Sequence, residues 1–101
     1  MVQRIGAMFE RAYALEAPRP SREEIETVLM EGYACALELE RERSAIERRT
    51  SLLIAELSNG DNAGELRLLS ARHTEVDRNV RWLRSLLVEL REYGASRRSP
   101  E

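Results

Sequence analysis

A single stripe of apolar residues restricts this chain to very few folds. Leu66, Leu69, His73, Val76, Val80, Leu83, Leu87 and Leu90 recur at alternating steps of three and four, a heptad seam interrupted only by His73. A seam of this kind cannot stay in water, because each fully buried Leu or Val is worth roughly 1.5–3 kcal/mol. The preceding segment offers a partner. Ile25, Leu29, Gly32, Ala36, Leu39, Arg43, Ile46, Thr50, Leu53 and Leu57 follow the same spacing, and Ser58-Asn59-Gly60-Asp61-Asn62 between the two reads as a turn. The pattern predicts an all-α fold: a long antiparallel helical hairpin, coiled-coil-like, in one domain over residues 1–101.

Local signals set the boundaries. Residues 2–15 place Val2, Ile5, Met8, Phe9, Ala12 and Tyr13 on one face, a short helix too small to be stable alone. A linker at 16–20 ends it, since Pro18 and Pro20 lack an amide hydrogen and push their predecessors out of the helical region. Ser21 and Glu24 form a capping box that opens a helix over 21–58. After a turn at 59–62, capped by Asp61 or Asn62, the second long helix covers 62–93. Gly94 is its expected left-handed terminator, followed by a polar tail at 94–101.

Pairing the two helices about the turn sets Leu53 by Leu69, Thr50 by His73, Ile46 by Val76, Arg43 near Val80 and Gly32 near Leu90. Apolar surface outside the seam gathers at the open end, with Tyr33, Leu37, Trp82, Leu86 and Tyr93 as its large members. Two helices can cover only one stripe each. A third partner is therefore expected, either the short N-terminal helix, which brings Phe9, or a second copy of the chain. The expected assembly uses both, a homodimeric bundle with Phe9, Tyr33, Leu37, Trp82, Leu86 and Tyr93 as interface anchors.

Composition excludes more than it assigns. Charged residues make up 34% of the chain, yet the net charge is only −2, too small for the whole field to steer the chain to nucleic acid or an anionic membrane. One cysteine, Cys35, leaves no intramolecular disulfide and no thiolate set for a metal, and a reducing cytoplasm is the expected location. The N-terminal residues carry charge where a signal peptide would be apolar, and no run is long enough to span a membrane. All 16 basic residues are Arg, which fits the codon usage of a GC-rich bacterial genome.

No reaction centre emerges. His73 with Asp77 supplies two ligands on one helix face, and even with Glu47 from across the hairpin this falls short of a structural zinc set. A polar seam position commonly fixes register, the role expected of His73, Thr50 and Arg43. No glycine-rich phosphate loop is present, and no cofactor or metal is expected. Glu40 and Ser44 match two of the five positions by which actinobacterial anti-sigma helices hold a cyclic dinucleotide, but Glu47, Ser51 and Ala55 stand where Arg, Gln and Asp are required. The expectation is a non-enzymatic interaction module, a self-associating cytosolic adaptor or regulator with an unidentified protein partner, possibly in transcription. The alternative is a nucleic-acid or nucleotide binder using an Arg belt of Arg48, Arg49, Arg72, Arg78 and Arg81, whose field is diluted by the acids Glu47, Glu75 and Asp77 in the same turns.

Overall fold

A computed structural model describes residues 1–13, 19–56 and 62–98. The expected turn residues 58–61, Leu57, the linker as far as Pro18 and the end of the tail at 99–101 lie outside the described residues. Three helices account for the fold: α1 (Val2–Tyr13), α2 (Arg22–Ala55) and α3 (Asn62–Arg98), with no strand among the described residues. The helices α2 and α3 pack against each other as a hairpin, and the packing divides into two units. One joins Met1–Ala36 to Trp82–Glu101, and the other is Leu37–Arg81.

In the first unit, Ile5, Met8 and Ala12 are the buried stripe of α1, at steps of three and four. They join Ile25, Val28 and Ala36 of α2 and Leu83, Leu87 and Leu90 of α3 in its core. The ion pairs Arg4–Glu31 and Arg11–Glu24, the latter at 2.8 Å, lie along the flank of α1 against α2. Ser21 caps α2 as its sequence requires, the Oγ accepting from the Glu24 amide at 3.1 Å.

Two glycines correct the sequence reading. The side chain over Gly32 is that of Leu87, one turn before the Leu90 expected there. A β-carbon on Gly32 would stand 2.5 Å from Leu87 Cδ2. At Gly94, α3 does not stop but runs on to Arg98, and no glycine there or elsewhere among the described residues has a positive φ. Gly94 is instead a packing residue, since a β-carbon would lie 3.2 Å from Ile25 Cγ2.

In the second unit, Ile46, Val76 and Val80 form a buried cluster against which Leu39 and Leu69 pack, and Leu53 is buried beyond them. Asn62 does more than open α3. Its amide donates to the carbonyls of Leu53 and Glu56 at 3.5 and 3.4 Å, so it also helps to satisfy the C-terminal turn of α2.

Candidate functional site

The interface anchors divide between two surroundings. Phe9 and Tyr13 of α1 meet Tyr93 of α3, with ring centroids 6.5 and 6.3 Å apart, so Phe9 and Tyr93 are spent on seating α1. Trp82, Leu86 and Tyr93 share that face of α3, being four and seven residues apart. Leu86 is half-buried, whereas Trp82 is 58% exposed. Tyr33 belongs elsewhere. Its ring lies under the guanidinium of Arg84 at 5.9 Å, and Arg84 stands about 200° round α3 from Trp82. The first unit therefore does not gather Tyr33 and Trp82 into one patch. Met30, 72% exposed, and Val88, 42% exposed, are apolar surface that the heptad pattern did not single out. Leu37, the first residue of the second unit, is half exposed.

The second unit builds a polar cluster around Arg43. Its guanidinium donates to Asp77 at 2.9 Å and lies 3.9 Å from Glu47 and 4.0 Å from Glu40. Asp77 also receives Arg81 at 3.0 Å, and His73 Nε2 stands 3.4 Å from Glu47. Thus His73 meets Glu47, where the sequence set Thr50, and Arg43 meets Asp77 beside the expected Val80. The pairs 43/77 and 47/73 step equally in opposite directions along the two helices, the signature of antiparallel register. Cross-hairpin charge matching was the signal that would have found them. The hydrogen bond from Arg43, joined by the charges of Arg81, Arg43 and His73, holds the Asp77 carboxyl below its ordinary pKa. Among the described residues, no group of three His, Cys, Asp or Glu side chains is placed to hold a metal ion.

The Arg belt is largely occupied. Arg49 donates to Glu65 at 2.8 Å, which raises the guanidinium pKa and lowers that of Glu65. Arg72 bonds Glu42 at 2.6 Å and lies 3.2 Å from Glu75, and Arg81 is held by Asp77. Arg48 and Arg78 make no ion pair among the described residues. A set of this kind offers an incoming phosphate few uncommitted cations.

No helix among the described residues is long and apolar enough to cross a membrane. In comparisons with known proteins, no family model, curated protein or solved structure matches this chain.

Proposed function

We propose that this chain is a non-enzymatic protein–protein interaction module, a cytosolic adaptor or regulator that self-associates through apolar side chains left in water by its first unit. One observation carries the reading: with α1 seated on the hairpin, Trp82 and Met30 are still 58% and 72% exposed. Large exposed apolar residues of this kind are the usual anchors of interfaces. The reading of the chain as a nucleic-acid binder loses support, because Arg49, Arg72 and Arg81 are already bonded to carboxylates.

Sedimentation velocity on the wild type, Trp82→Glu and Met30→Glu, at low and high salt, tests the proposal. The wild type is expected to form an oligomer that persists at high salt, and at least one variant to become a monomer of unchanged helix content. A wild type that stays monomeric at every concentration and salt overturns it.

A further inference from the structure

The outward side of α2 in the second unit differs from its surroundings. Leu37, Arg41, Ser44 and Arg48 follow at steps of four, three and four and so share one helix face. All four are exposed, as are Ser51 and Leu52 further along. Two shallow depressions run along this side, with Ser44 and Arg48 in the lining of both. The acids at its margin, Glu40 and Glu47, already lie within 4.0 Å of Arg43. Arg43, Arg49, Arg72 and Arg81 are held in ion pairs, whereas Arg41 and Arg48 form none among the described residues. Glu38 stands about 100° round the helix from Leu37, off this face. The result is an open strip, apolar at Leu37 and Leu52 and positive between them.

The first unit presents the opposite sign on the same helix. Glu26, Met30 and Tyr33 share a face by spacing, with Glu26 and Met30 both exposed. The present partner of Glu26 is Arg22, four residues back at 3.2 Å and 71% exposed, a surface pair that contributes little and exchanges readily.

Resting on the self-association proposed above, we infer that a second copy of this chain occupies the strip. The Leu37/Arg41/Arg48 face of one copy docks on the Glu26/Met30 face of another, with Leu37 and Met30 supplying apolar contact and Arg48 and Glu26 the charge match. Small side chains between the arginines, Ser44 and Ser51, let a second helix approach closely. The charge pair selects register and partner, while the apolar residues supply most of the affinity.

Charge reversal tests this directly. Arg48→Glu and Glu26→Arg are made separately, compared by sedimentation equilibrium with the wild type, and then mixed, with far-UV circular dichroism confirming unchanged helix content. Each variant alone is expected to raise the dissociation constant at least about tenfold, because like charges then face each other. The equimolar mixture is expected to recover association, since each variant supplies the charge the other now needs. A wild-type oligomer that tolerates both reversals, or a mixture that fails to recover, overturns the docking inference and leaves self-association standing. A wild type that is monomeric throughout overturns both.

Discussion

Asp77 illustrates how much one residue of this fold answers for. It takes hydrogen bonds from Arg43 of the facing helix at 2.9 Å and from Arg81 of its own at 3.0 Å, and its carboxyl is held below the ordinary value. A carboxyl lowered in the folded state stabilises that state fully above its unfolded pKa, about 3.9 for Asp. That contribution is lost as pH falls below this value and through the lower folded one. Urea melts across this range should show a shallower acid loss for Asp77→Asn than for the wild type; identical slopes would place the acid sensitivity in other carboxylates. Gly32 and Gly94 make a matched pair of tests. Helix propensity favours Ala over Gly by about 1 kcal/mol at either position. At Gly32 the new methyl would collide with Leu87, which is fully buried and has nowhere to turn, an overpacking cost of roughly 1–3 kcal/mol. Gly32→Ala is therefore expected to destabilise by about 1 kcal/mol net. Gly94→Ala should come out within about 0.5 kcal/mol of wild type, because the propensity gain offsets a slight push on Ile25. A loss well above 1 kcal/mol there would mean that a left-handed terminator had been present after all.

Among the elements, the two long helices were readable from the heptads because apolar spacing survives any detail of packing. The start of α2 was equally plain, since Ser21 and Glu24 act locally and Ser21 caps whatever the tertiary context. The end of α3 was not readable. A glycine near a helix end signals termination on backbone grounds alone, and only the approach of Ile25 shows that the missing side chain at Gly94 serves packing. The candidate surfaces were readable in kind and not in grouping. The anchors Phe9 and Tyr93 are apolar, as interface residues should be, but spacing along one helix cannot say that α1 will consume them. Glu47 and Asp77 were visible as charges, while their partners depend on a register known only once the helices are paired.

For the molecule as a whole, self-association gives stability a concentration dependence. Whatever binds only the folded chain raises its apparent stability by mass action, and another copy is such a ligand. The melting temperature of the wild type is therefore expected to rise with protein concentration. Trp82→Glu or Met30→Glu, whichever abolishes the oligomer, should melt at a temperature independent of concentration. Differential scanning calorimetry over a broad dilution series measures both, and a wild-type melting temperature that does not move would count against assembly as firmly as a monomeric sedimentation profile.

The cross-hairpin ion pairs also act as a vernier. A heptad seam is nearly blind to a slip of seven residues, because one leucine takes the place of another. The charges are not blind. Sliding α3 so that each residue of α2 faces a position seven further on would set Arg43 before Arg84 and Arg49 before Arg72, and bury Glu47 against Val80. Sliding it the other way would set Glu42 before Glu65, Glu47 before Leu66 and Arg43 before Ser70. Only the native alignment gives Arg43 its Asp77, Glu47 its His73, Arg49 its Glu65 and Glu42 its Arg72. Individually weak surface pairs thus make every neighbouring notch of the same ratchet repulsive or bare.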